Sequence, residues 1–300
     1  MKKFKILLAA AVIATGAMGL ASCSEDDLNP NSVFTESQNA STPLDAWLET
    51  NYVANYNIQF KYRYEDVETD KTYELTPATY EKSIQLAKLV KFLCFEAYDT
   101  VTGSREFIAK YFPKIVFAVG CPAYNNNGSV VLGTAEGGSK ITLYAVNNLD
   151  PTNVALLNEW YFKTIHHEFT HILNQTKPYS TDFEQITGTT SGIEYVGNSC
   201  WDVYPTEASA NQDGFISRYS STSSAEDFAE LVSIYVTNDA TEWNRKLTQA
   251  GTSGRAMIES KFEIVTKYME SEWGIDLNVL RAEVLGREAQ VPSMDWDSLN

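Results

Sequence analysis

The chain has three histidines, His166, His167 and His171, and all of them fall within six consecutive residues. His167 and His171 stand four apart, so on a helix they project from one face, a turn from each other. Ile165, Phe169, Ile172 and Leu173 surround them with apolar side chains. The segment therefore reads as an amphipathic helix with its polar group turned into the protein. Burying two imidazoles and the carboxylate of Glu168 without a partner would be costly. A metal ion is the partner this spacing suits, because two imidazoles at i and i+4 can reach one Zn²⁺ at about 2.0–2.1 Å. Glu168 then lies beside the metal, where a general base for an attacking water must sit. His166 is off the ligand face and reads as a surface residue or as support for a ligand.

The elements around this helix indicate an α+β protein. Asp150-Pro151 supplies an N-cap followed by proline at the first helical position, and Val154, Leu157, Tyr161 and Ile165 carry the apolar stripe forward to about Asn174. Upstream, alternation over 57–67, the apolar run 114–119 and the run 141–146 read as strands, and 77–98 has helical spacing. Residues 125–140, rich in Asn and Gly, read as loop broken by an apolar piece at Val130-Val131-Leu132. Downstream, a helix is expected from Ser223 or Ser224 to about Thr237, opened by a capping box with Glu226 or Asp227, and further helices over 255–272 and 276–286. The strands come early and the helices late, so a small early sheet, a long active-site helix and a mostly helical C-terminal part are predicted.

A catalytic zinc needs a third protein ligand and an open position for water. With no histidine left, a carboxylate must supply the ligand. A metzincin would carry Gly and His where this chain has Asn174 and Lys177, which excludes that class. An aspzincin would place Asp in a Gly-Thr-x-x-Asp pattern, but Gly188-Thr189-Thr190-Ser191-Gly192 has Gly at that position. A later helix holding Glu226-Asp227-Phe228-Ala229-Glu230 is the best source. Its two glutamates share a face, so one can ligate while the other orients a ligand histidine.

Taken together, His167-Glu168-Phe169-Thr170-His171, Tyr219 and Glu226-Asp227-Phe228-Ala229-Glu230 resemble the gluzincins similar to anthrax lethal factor. The layout of 45–300, with the strand from Tyr56 to Arg63, also resembles the zinc-binding metallopeptidase lipoproteins of Bacteroidetes. The resemblance implies a zincin-like fold and a gluzincin-type endopeptidase with a Zn²⁺ cofactor acting on a peptide or protein substrate. It implies His167, His171 and Glu226 as metal ligands, Glu168 as base, Glu230 as support, and Tyr219 as the phenol that stabilises the oxyanion. The chain has 17 tyrosines, and Tyr195 or Tyr204 could serve in place of Tyr219. Strand 141–146 is implied as the edge strand that pairs with an extended substrate.

The first 22 residues read as a secretory signal: Lys2, Lys3 and Lys5 precede an apolar run too short for a membrane span. Leu20-Ala21-Ser22-Cys23 resembles a bacterial lipobox, implying lipid attachment at Cys23, a tether over 23–44 and a folded domain over 45–300. The acidic Ser24-Glu25-Asp26-Asp27 resembles a signal for outer-membrane lipoproteins facing the cell surface; otherwise the protein would be periplasmic. A formal charge of −16 argues against nucleic-acid partners. Cys94, Cys121 and Cys200 leave an odd number for pairing, with Cys94 in an apolar run that suits the core. The rival to an enzyme is a surface-exposed binding lipoprotein of a nutrient or glycan-uptake system, with a structural or vestigial zinc site. Against it stands Glu168, a residue that only catalysis requires.

Overall fold

The computed structural model describes residues 41–124, 130–131, 133–136, 138–187 and 191–299. Cys23, the signal segment, most of the tether and Gly188-Thr189-Thr190 lie outside them. Thr42–Asn300 forms one compact unit. It opens at α1 (Pro43–Leu48), where Thr42 accepts from the Asp45 backbone N–H and the Asp45 carboxylate accepts in return. The folded unit thus begins slightly ahead of the boundary expected at 45. No helix of the described residues is long and apolar enough to cross a membrane.

Mixed helix and sheet are present as expected. After α1 come β1 (Gln59–Lys61), α2 (Tyr80–Val90), α3 (Glu96–Thr102), α4 (Glu106–Tyr111), β2 (Ile115–Ala118), β3 (Ala123–Tyr124), β4 (Val130–Val131), β5 (Gly133–Glu136) and β6 (Lys140–Leu143). The helices α5 (Lys163–Thr176), α6 (Glu207–Gln212), α7 (Ser224–Thr237), α8 (Ala240–Gln249), α9 (Gly251–Trp273) and α10 (Leu277–Glu288) follow, with short helical pieces and turns between α5 and α7. The main sheet has the order β1-β2-β6-β5, parallel from β1 to β6 and antiparallel between β6 and β5. β3 and β4 form a separate antiparallel pair.

Two expectations about this sheet need correction. The segment 125–140 is not simply loop, since β4 and β5 come from it. Strand 141–146 is not the edge: β6 is hydrogen-bonded on both sides, and all four of its residues are buried. Among the described strands, the sheet edge next to the histidine helix is β5. Glycine-rich composition hid it, yet glycine is what its position demands. A Cβ on Gly133 would sit 2.6 Å from the Thr164 methyl carbon, so only a bare backbone lets the strand lie this close to α5.

The helix with the histidines continues upstream through a π-helical turn (Asn158–Phe162) to Val154–Leu157. Its cap is Asn153, whose side chain accepts from the Leu156 N–H, and not Asp150, which closes a local turn with Thr152 instead. One face of α5 is driven into an aromatic cluster. Phe169 has its ring centroid 5.2 Å from Tyr98, 5.1 Å from Phe112 and 5.8 Å from Phe107. The opposite face packs on α7, with α10 behind α7. Cys94, Cys121 and Cys200 are all free, and Cys94 and Cys200 are buried.

Candidate active site

α7 starts where the sequence indicates. Ser223 accepts from the Glu226 backbone N–H at 3.2 Å, although no reciprocal carboxylate bond completes a capping box. The helix is held down by a buried ion pair from the neighbouring residue. Asp227 and Lys261 of α9 are both fully buried with N···O at 2.5 Å. Tyr195 donates to Asp227 at 3.1 Å, and Lys261 also donates to the Gly214 carbonyl at 2.9 Å. With α7 pinned at this end, Glu226 and Glu230 face the histidines of α5.

The geometry separates the two glutamates. Glu226 Oε2 lies 2.8 Å from His167 Nε2 and 3.3 Å from His171 Nε2, and the two Nε2 atoms are 3.1 Å apart. One donor atom from each residue falls within 4.8 Å of the others. Glu230 approaches the other nitrogen of His167: its Oε1 is 3.0 Å from Nδ1. Glu230 is itself fixed from behind by Lys163 at 2.9 Å and the Ser217 hydroxyl at 2.5 Å. A carboxylate on Nδ1 holds the imidazole with its Nε2 lone pair aimed at the cluster.

The electrostatics fit a cation. Burial alone would lower the His167 pKa, but the carboxylates of Glu226 and Glu230 outweigh it and hold it up at about 9. Burial would raise Glu226, but the two histidines bring it down to about 2. For Glu230 burial is likewise overcome, by Lys163 and His167, and the group stays well below the usual carboxylate range. Before a metal enters, a proton on His167 plays its part. Two imidazole nitrogens and one carboxylate oxygen at these separations make a His₂Glu donor set of the kind that holds a catalytic zinc.

Glu168 lines the cleft on both sides of this cluster. One cavity of about 460 Å³ is bounded by Gly133, Thr164, His167, Glu168, Trp201 and Tyr219. A second, of about 310 Å³, is bounded by Gly138, Glu168, His171, Tyr219 and Glu226. Burial raises the pKa of Glu168, partly offset by the two histidines, which moves a carboxylate toward the range of an effective base. Tyr219 is the tyrosine that borders both cavities, its ring 5.9 Å from that of His167. The alternatives are engaged elsewhere: Tyr195 bonds Asp227 and Tyr204 bonds Asp213 at 3.1 Å. Arg218 sets the position of Tyr219 by donating to the carbonyls of Tyr204 and Trp201.

His166 departs from expectation. It is fully buried, not at the surface, because both faces of α5 are covered. Its Nδ1 is 3.1 Å from the Tyr98 hydroxyl, and desolvation lowers its pKa to about 4, leaving a neutral core residue. Lys163, Ser217, Arg218 and Trp201 escaped notice in the sequence. Lys163 had a signal, since it lies one turn before His167 on the same face; the others had none.

Residues 36–278, well over half of the chain, match the family model described as "Putative zinc-binding metallo-peptidase". The chain belongs to this family. A crystal structure at 2.10 Å of a "putative zinc-binding metallo-peptidase" from Bacteroides caccae ATCC 43185 is similar at 38% identity and a TM-score of 0.75. The likeness covers 90% of this chain and all of that one. No curated protein matches. The metallopeptidase assignment carries zinc as the cofactor and peptides or proteins as the substrate class, and the His₂Glu cluster is a site fitted to receive the metal.

Proposed function

We propose that the protein is a gluzincin-type endopeptidase in which His167, His171 and Glu226 hold Zn²⁺, Glu168 is the general base and Tyr219 stabilises the oxyanion. The observation that carries this reading is the division of labour between Glu226 and Glu230, one carboxylate at Nε2 of His167 and the other at Nδ1. Zinc, when bound, polarises the scissile carbonyl and lowers the pKa of the attacking water. Glu168 takes the proton of that water and passes it to the leaving amine. The Tyr219 hydroxyl, its pKa raised by burial and by the nearby carboxylates of Glu226, Glu168 and Glu230, stays protonated to donate to the developing oxyanion. Glu230, backed by Lys163 and Ser217, keeps the His167 ring from turning.

The substrate lies along β5. That strand is at the edge of the described sheet, and its two ends flank the cluster: Gly133 borders the first cavity, and Gly138, just beyond the strand, borders the second. An extended peptide added to β5 crosses Glu168 and Tyr219 with chain on both sides of the cut. The signal and lipobox residues support a lipid anchor at Cys23 and display from the outer membrane. The test is cleavage of a diverse peptide and glycoprotein library by the zinc-loaded protein with Glu168→Gln alongside. Cuts made by the wild type and missing from the variant are expected. The same cuts from a zinc-loaded Glu168→Gln protein would rule Glu168 out as the base.

A further inference from the structure

The two cavities that meet at Glu168 differ in kind. The smaller, on the Gly138 side, is walled mainly by His171, Gln175 and Glu226, with Ile172 and Ala225 as its small apolar part. The larger, of about 460 Å³, is in the volume range of ligand sites, and its lining includes Val130, Val131, Trp201 and Tyr219. Among the described residues, three of the large apolar side chains left open to solvent, Val130, Trp201 and Tyr219, converge on this one cavity, and Trp201 is 51% exposed. An exposed apolar surface gathered beside a reaction centre marks a place for an apolar group of a ligand. The charged members of the lining do not compete for it. Lys163 and Glu230 are paired with each other, and Glu159 is open to solvent.

Trp201 is held in place to present that surface. It sits on the short helix Cys200–Val203. Arg218 donates to its carbonyl at 2.7 Å and lays its guanidinium 4.6 Å from the centre of the indole ring. The Tyr219 ring runs nearly parallel to the indole, at 20° with 6.5 Å between centroids, and is itself 5.9 Å from the His167 ring. An aromatic row thus leads from the metal cluster out to Trp201, while Val130 and Val131 of β4 add the aliphatic part of the lining.

We infer that this cavity is a specificity subsite for an aromatic side chain of the substrate, the one flanking the scissile bond on the Gly133 side, and that Trp201 determines the preference. Gly133 and Thr164 belong to the same lining, so a peptide paired with β5 reaches the cavity on that side of the cut. An aromatic ring gains from contacts with Trp201 and Tyr219 beyond the area it buries. The inference rests on the peptidase reading, but its test does not need turnover. Binding of Nα-acetyl-L-phenylalanine amide to zinc-loaded Glu168→Gln protein is measured by calorimetry, beside the corresponding alanine and leucine amides. The phenylalanine derivative is expected to bind at least about tenfold tighter than alanine and a few-fold tighter than leucine. Trp201→Ala should remove most of both differences. Equal binding of the three ligands, or none, or a phenylalanine preference that survives Trp201→Ala, overturns the inference. Should Trp201→Ala fail to fold by circular dichroism, Val130→Ser replaces it and must weaken phenylalanine binding severalfold. Binding of methyl β-D-glucopyranoside with the phenylalanine amide excluded would also overturn it and assign Trp201 to a sugar ring. Trp201-dependent phenylalanine binding without cleavage of any library peptide would sink the peptidase reading alone; Glu168-dependent cleavage without such binding would sink this inference alone.

Discussion

Zinc binding should release a proton from His167, and the affinity should therefore climb steeply with pH. In the metal-free site the carboxylates of Glu226 and Glu230 overcome burial and hold His167 at about 9 against its usual 6.5. A ligand imidazole must be neutral. At pH 7 the site must give up a proton across about two pH units, which costs about 3 kcal/mol, so zinc should bind on the order of 100-fold more weakly at pH 7 than the fully deprotonated site would. The apparent affinity should gain close to a factor of ten per pH unit from 7 toward 9 and then level off. Competition against a chromophoric chelator over pH 6.5–9.5 gives the slope, and calorimetry at pH 7 in two buffers of different ionisation enthalpy counts the proton. The sign for stability runs the other way. A folded pKa raised above the unfolded value contributes stability that is complete below about 6.5 and lost as pH rises through about 9. The melting temperature of the metal-free protein should therefore fall over that window. Glu226, lowered to about 2 from 4.5, contributes stability present above 4.5 and lost as pH falls toward 2. A zinc affinity flat from pH 7 to 9, with no proton released, would refute the charge balance described for the cluster.

Other consequences are equally specific. Glu226→Ala should lower zinc affinity by several orders of magnitude while the fold persists by circular dichroism; unchanged affinity would move the third ligand elsewhere. Tyr219→Phe should lower kcat by roughly 10²-fold with KM little changed, measured on a peptide found in the library screen; an unaltered kcat would remove the phenol from the reaction. Lys261→Met leaves Asp227 buried and uncompensated beside Glu226, and should destabilise the protein by about 3–5 kcal/mol in urea unfolding. Adding Asp227→Leu to that variant should restore much of the loss, and failure to do so would mean the pair is not the source.

How much of this was legible in the sequence depends on the range of the interaction. His167, Glu168 and His171 are placed by one helix and its local period, so spacing alone brought them together. The capping serine at Ser223 likewise marks the start of α7 within a residue. Glu226 and Glu230 could not be told apart that way, because both lie on the same face one turn apart. What separates them is which nitrogen of His167 each reaches, a matter of how α5 crosses α7. The sheet edge failed for a related reason. The run 141–146 looks like a strand because β6 is buried on both faces, but burial of that kind belongs to an interior strand. The true edge, β5, has too little side chain to announce itself and is made by the close approach to Thr164. His166 reads from the sequence as a surface residue or a ligand's support because the helical period marks only the metal-facing side of α5; the aromatic cluster around Tyr98 and Phe169 covers the other side and removes the surface alternative.

The central claim is that one zinc ion sits on His167, His171 and Glu226. Diffraction from zinc-loaded crystals at energies above and below the zinc edge tests it directly. The account predicts a single anomalous peak about 2.0–2.2 Å from both Nε2 atoms and from the Glu226 carboxylate, with Glu230 still on Nδ1 of His167. A peak ligated by Glu230 in place of Glu226, or one lying away from α5, would contradict it.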